Sequence, residues 1–159
     1  MSNTANIMIS VHAKYVEKFL EGTKRIEVRR RRMNIQPGTR VWIYTTAPEA
    51  RVGVSAVIES ICISAPRILW KMHHLELGVT RSEFDAYFSG SNYACGLVLR
   101  DILRLEQALR LAEFRNRCRA FQPPQFFKRL YEGSPELDLL RASSRASTKE
   151  VTSREASAL

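Results

Sequence analysis

Five runs of β-branched and aromatic residues, interleaved with helical segments, constrain this chain most. Ile7-Met8-Ile9-Ser10-Val11 is apolar and β-permissive. Ile26-Glu27-Val28-Arg29 alternates apolar and charged residues, so it reads as a strand with Glu27 and Arg29 on one face; Lys24 shares that face if the strand starts so early. Gln36-Pro37-Gly38 marks a turn into Val41-Trp42-Ile43-Tyr44, and Ala47-Pro48-Glu49-Ala50 breaks that strand. A long strand follows from Arg51 to Ile63, with Gly53 placed to permit a bulge or a close approach. The fifth strand covers Tyr93 to Leu103.

The helices between these runs carry their own signals. Tyr15, Val16, Phe19 and Leu20 share one helical face, and Gly22 follows as a C-terminal stop because glycine accepts the left-handed conformation. A second helix is expected near Pro66 to Leu75. Val79-Thr80-Arg81-Ser82-Glu83-Phe84 opens a third: Thr80 and Glu83 fit a capping box, Val79 and Phe84 the hydrophobic staple, and Phe84, Tyr87 and Phe88 the buried face. Leu105 to Arg119 has a helical look, Pro123-Pro124 interrupts it, and Phe126 to Tyr131 reads as a short helix or a strand. An α+β chain with about five strands follows. One domain over residues 1–133 and a flexible tail over 134–159 are expected, since Ala142 to Leu159 offers almost no apolar bulk to offset chain entropy.

The chain has 25 Lys and Arg against 16 Asp and Glu, a net charge of +9 that favours a polyanionic partner through counterion release. Lys24, Arg25, Arg29, Arg30, Arg31 and Arg32 crowd together, and Arg110, Arg115, Arg117 and Arg119 form a second cluster. The competing reading is that both are solvated faces. Cys62, Cys95 and Cys118 lack the spacing of a zinc site or a disulfide framework and read as reduced, structural residues. No secretory leader or membrane span is recognised, so a cytoplasmic address is expected. His73 and His74 point in different directions on a helix, and neither a metal nor a cofactor is expected.

Gly22-Thr23-Lys24-Arg25-Ile26-Glu27-Val28-Arg29 resembles the G-x-K-x-x-E-x-R signature of ASCH domains, members of the PUA-like superfamily. Ile43-Tyr44 with Pro48, and Val52-Gly53, resemble the strands that follow it. Ser64-Ala65-Pro66, Leu69-Trp70, Gly78-Val79-Thr80, Phe84 to Phe88, Gly90, Tyr93-Ala94 and Pro123-Pro124-Gln125 are similar to a subgroup described as predicted PUA-like regulators. The likeness runs from about Ile9 to Leu130 and implies a small PUA-like β-barrel with flanking helices. Two positions depart from the pattern. Phe126 stands where the family has serine, and Ser10-Val11-His12-Ala13-Lys14 lacks the usual proline.

The resemblance implies a cleft beside the first helix that gathers Lys24, Glu27 and Arg29. Lys24 and Arg29 to Arg32 suit phosphate, and a carboxylate such as Glu27 accepts from a base edge. Tyr44, Trp42 and Pro123-Pro124 are candidate apolar walls, and Gln125 completes the nucleic-acid-binding set. The expected partner is RNA or DNA, single-stranded or with an accessible or modified base. Against this, Glu27 and Arg29 can simply pair with neighbours and fix strand register, and Trp42 and Trp70 can be core.

The enzyme alternative is a hydrolase. Some ASCH proteins act as N4-acetylcytidine amidohydrolases through a lysine, a threonine three residues later and a distal glutamate. The matching positions here are Lys24, Glu27 and, by its place before the third helix, Glu76. Glu27 cannot act as the hydroxyl nucleophile, although it can act as a base on water, and Thr23 lies on the wrong side of the lysine. Ribonuclease activity is attributed to other members, with Lys24 and Glu27 as the acid–base pair. A protein-binding regulatory module is the third class.

Overall fold

The computed structural model describes residues 4–144. In chain order the elements are β1 (Asn6–Val11), α1 (Ala13–Glu21), β2 (Ile26–Arg29), β3 (Arg40–Thr45) and β4 (Arg51–Ser64). They continue with α2 (Pro66–His73), a 3-10 turn (His74–Glu76), α3 (Arg81–Phe88), β5 (Ala94–Arg110), α4 (Leu111–Arg117) and β6 (Lys128–Leu130). The strands form one mixed sheet in the order β2-β5-β4-β3-β1-β6. β1 runs parallel to β3, and the other pairings are antiparallel. Among the described residues, no helix is long and apolar enough to cross a membrane.

Local chemistry explains most boundaries. Gly22 ends α1 at φ 84°, and its backbone N–H donates to the Lys18 and Phe19 carbonyls. Thr80 and Glu83 form the full capping box at the start of α3. Gly53 is the extra residue of a bulge: Ile43 faces Val54, the next residue, Tyr44, faces Val52, and the glycine lies between. On the other edge of β4 the register shifts at the same place, with Val54 facing Arg104 and Val52 facing Leu109.

The parity of the strands sorts side chains into three cores. Ile7, Ile9, Val11, Val41, Ile43, Leu97 and Leu99 pack with Val16 and Phe19 of α1. Met8, Trp42, Tyr44 and Val52 face the other way and meet Phe114 of α4, Phe121 and Leu137. Farther along that outer face, Ile26 and Val98 are covered by Leu69, Phe84 and Phe88 from α2 and α3. Burial of large apolar side chains on both faces is what holds so long a sheet in one shape.

Several expectations are corrected. The sheet has six strands instead of about five, and it is open, not a closed barrel, because its end strands β2 and β6 are not hydrogen-bonded to each other. The Arg29 guanidinium spans the region between the sheet's ends instead, donating to the Ser10 carbonyl at 2.9 Å and to the Phe126 carbonyl at 3.4 Å. The strand expected to stop near Leu103 continues to Arg110: its pairing with β4 breaks after Arg104 and resumes at Leu109 and Arg110, opposite Val52 and Arg51. The expected tail also begins too early. Residues 135–144 are helical, Leu137 and Leu140 are fully buried, and Ser134 Oγ accepts from the Leu137 N–H. The remaining tail residues, 145–159, lie outside the described residues.

Candidate functional site

A cleft of about 210 Å³ opens between the end of β1, α1, β2 and α3. Its polar lining includes Ser10, Lys24, Glu27 and Arg29, and Tyr15 and Tyr87 supply aromatic walls from the two helices. Pairing of Glu27 with Leu97 and of Arg29 with Cys95 puts both charges on the inner face, at the mouth of the α1 core. The expected common face of Glu27 and Arg29 is therefore present.

Lys24 is 2% exposed, and its Nζ donates to the carbonyls of Ile26 at 2.8 Å and Leu77 at 2.6 Å. Its ammonium also lies 5.3 Å from the ring centres of both Tyr15 and Phe19. Burial pushes its pKa below the usual 10.5, and Lys18 and Arg29 add to that, while Glu27 opposes it. Behind Lys24 stands Gly78 at φ 63°, where an added Cβ would fall 2.7 Å from the Lys24 Cβ. Glycine is required there both by the backbone and by the packed lysine stem.

Glu27 sits between two cations. Its carboxylate is 3.9 Å from Lys24 Nζ and 3.4 Å from Arg29 Nε. Arg29 Nε is buried and makes no hydrogen bond among the described residues, because the approach of Glu27 is not aligned for one. The trio thus carries one net positive charge in a half-enclosed site. Such a site can accept an anion or a polar base edge, and its carboxylate is available as an acceptor.

The other expected residues are dispersed. Arg30, Arg31 and Arg32 are exposed just beyond β2; Arg30 donates to the Ser89 carbonyl at 3.2 Å, and Arg31 lies 5.5 Å from the Phe126 ring centre. Tyr44 is not a wall of the cleft. It is 4% exposed in the opposite core with Trp42, and burial raises its pKa. Gln125 is exposed between Pro124 and Phe126, whose carbonyls accept from Ser10 Oγ and Arg29. Glu76 does not line the cleft; it pairs with Arg25 and His73, each at 3.4 Å. His74 stacks on Trp70 at 5.6 Å between ring centres.

Tyr15, Tyr87 and Glu83 are among the lining residues that escaped the sequence reading. Tyr15 and Tyr87 look like the apolar faces of two helices, and Glu83 looks like a capping residue alone. Glu83 is that cap, and it also binds Lys14 at 2.7 Å across the cleft from α1. The Lys14 hydrogen bond and the Thr80 N–H hold its carboxyl down to about 2. The adjacency of α1 and α3 arises only from tertiary packing, so no local signal could reveal it.

The mixed sheet, with its Gly22 to Arg29 segment at the lip of this cleft, is similar in sequence and fold to ASCH domains. A curated relative, the ASCH domain-containing ribonuclease of Zymomonas mobilis, is 29% identical over 118 residues, covering 74% of this chain and 79% of that protein. The crystal structure of ASCH from Zymomonas mobilis superimposes with a TM-score of 0.76 at 28% identity, covering 80% of this chain and 88% of the other. The large ribosomal subunit protein uL22 of Ureaplasma parvum is 25% identical over 111 residues, 70% of this chain, but the match spans only 36% of that protein. The chain belongs to the family described as a domain of unknown function, DUF365, whose profile matches residues 4–128.

Proposed function

We propose that this domain binds single-stranded RNA and seats one base in the cleft between α1 and α3. The observation that carries this reading is the buried Lys24–Glu27–Arg29 trio set between two tyrosine walls. Stacking surface joined to base-edge donors and acceptors is the usual means of holding an unpaired base. The exposed Arg30 to Arg32 add charge beside the cleft for phosphate. The relative named as a ribonuclease supports RNA over other polyanions. Fluorescence anisotropy with a labelled RNA of mixed sequence tests the reading: binding at low ionic strength that weakens steeply with salt is expected, and no binding at low salt contradicts it.

A second reading, hydrolysis of RNA, is favoured by the same relative's name and by the 3.9 Å approach of Lys24 to Glu27. Glu27 would accept the proton of a ribose 2′-OH as its oxygen bonds to phosphorus, Lys24 would give a proton to the 5′-oxygen that leaves, and Arg29 would neutralise the phosphate under attack. Incubation with end-labelled RNA separates the two. Fragments that vanish in both Lys24→Met and Glu27→Gln support hydrolysis, and intact RNA with wild-type binding supports a reader. Deacetylation of N4-acetylcytidine finds less support, because Glu27 replaces the hydroxyl nucleophile and Glu76 is held outside the cleft by Arg25 and His73.

A further inference from the structure

We infer that the ligand is a strand of at least two consecutive nucleotides, with the second nucleotide in a separate groove formed by Arg30, Arg31, Gly90, Ser91, Asn92 and Tyr93. This inference rests on the RNA-binding reading and extends it. At about 210 Å³, the cleft is below the usual size of a small-molecule site, and it suits a base better than a whole nucleotide. The sugar and phosphate then have to lie outside it. The groove measures about 440 Å³. It begins where the cleft ends: Arg29 lines the cleft and Arg30 the groove, and Tyr87 of α3 lines the cleft three residues before Gly90 lines the groove.

The distribution of charge agrees. Within the cleft, Glu27 offsets much of the positive charge of Lys24 and Arg29. Arg30 and Arg31 form no ion pair among the described residues. Arg30 donates to the Ser89 carbonyl and keeps further N–H groups for a phosphate, while Arg31 lies over Phe126. Tyr93 is 41% exposed, and no ring or cation among the described residues occupies its face. It is the platform on which the second base stacks. A free nucleoside would use none of these three residues.

Isothermal titration calorimetry with the four ribonucleosides and a mixed-sequence RNA hexamer tests this on the wild type, Tyr93→Ala and the double variant Arg30→Gln/Arg31→Gln. The hexamer is expected to bind at least about 100-fold more tightly than any nucleoside. Tyr93→Ala is expected to weaken hexamer binding about tenfold. The double variant should flatten the slope of log affinity against log salt by about 1.4, as loss of two phosphate contacts on a single strand requires. All three residues are at the surface, so thermal unfolding should be unchanged. Nucleosides that bind as tightly as the hexamer, or rim variants that bind the hexamer like the wild type, overturn the inference and leave the cleft reading standing. A wild-type chain that binds neither probe overturns both.

Discussion

Two pairs of aromatic residues contrast, one on a central strand and one on two helices, and only the helical pair lines the cleft. Trp42 and Tyr44 project from β3 into the outer core, where Trp42 Nε1 donates to Asn6 Oδ1 at 3.0 Å and both rings are nearly inaccessible. Tyr15 and Tyr87 project from α1 and α3 into the cleft, beside buried charges. Strand aromatics here are spent on stability, and helix aromatics wall the site. Residue type does not decide between core and site, and neither does the layer: α3 covers the outer face that also buries Trp42 and Tyr44, yet its Tyr87 lines the cleft.

The sharpest way to break the comparison is on the buried side. Trp42→Ala is expected to cost about 3–5 kcal/mol in urea unfolding, through lost burial and an empty cavity. RNA affinity measured on the protein that remains folded should not change. If affinity drops while stability holds, the ligand sits on the outer face instead. On the cleft side the expected signs are reversed: Tyr15→Leu/Tyr87→Leu should leave the unfolding midpoint within about 1 kcal/mol and weaken RNA binding by about 1–3 kcal/mol per ring.

Gly78→Ala tests whether the lysine behind those rings is held by packing. The substitution is expected to cost about 1–2 kcal/mol for the left-handed backbone alone, and it should weaken RNA binding as the new Cβ displaces Lys24. Unchanged binding would show that the position of Lys24 does not matter to the ligand.

The smallest effects concern pH, and at both ends of the cleft a lowered pKa makes stability rise with pH, in two separate windows. Lys24 has a folded pKa below 10.5, so the unfolded chain holds more protons across that window, and stability should rise as pH climbs towards 10.5. Lys24→Met should abolish that rise. Glu83 has a folded pKa of about 2 against an ordinary 4.5. Its contribution is present above 4.5 and is lost as pH falls towards 2, and Glu83→Gln should flatten that acid limb slightly, because the pair is exposed. Thermal midpoints from pH 2 to 11 for the three proteins check both.

Much of the fold was legible. The Thr80–Glu83 capping box, the Gly22 stop and the alternation at Ile26 to Arg29 are local, and local chemistry decided them. Gly53 was read as permitting a bulge or a close approach, and the bulge lies there. The ends of elements were less legible: Leu105 to Arg119 has a helical look, yet α4 begins only at Leu111, because Leu109 and Arg110 pair with Val52 and Arg51. Leu137 and Leu140 fell within the expected tail, but the outer core supplies their partners. Within the site, Glu27 and Arg29 were legible as a strand face; Lys24 was expected there only if the strand began early, but β2 starts at Ile26 and Lys24 reaches the cleft from the turn before it. Tyr44 was misplaced because alternation tells which residues share a face and not which face borders a cleft.

Photo-crosslinking of RNA containing 4-thiouridine, followed by mass spectrometry of the modified peptides, most directly tests whether the cleft is the binding site. The expected adducts fall on Tyr15 and on the α3 peptide that carries Tyr87, and they are lost when unlabelled RNA competes. Adducts confined to the Arg110 to Arg119 cluster, with none on α1 or α3, would contradict a ligand seated between the two tyrosines.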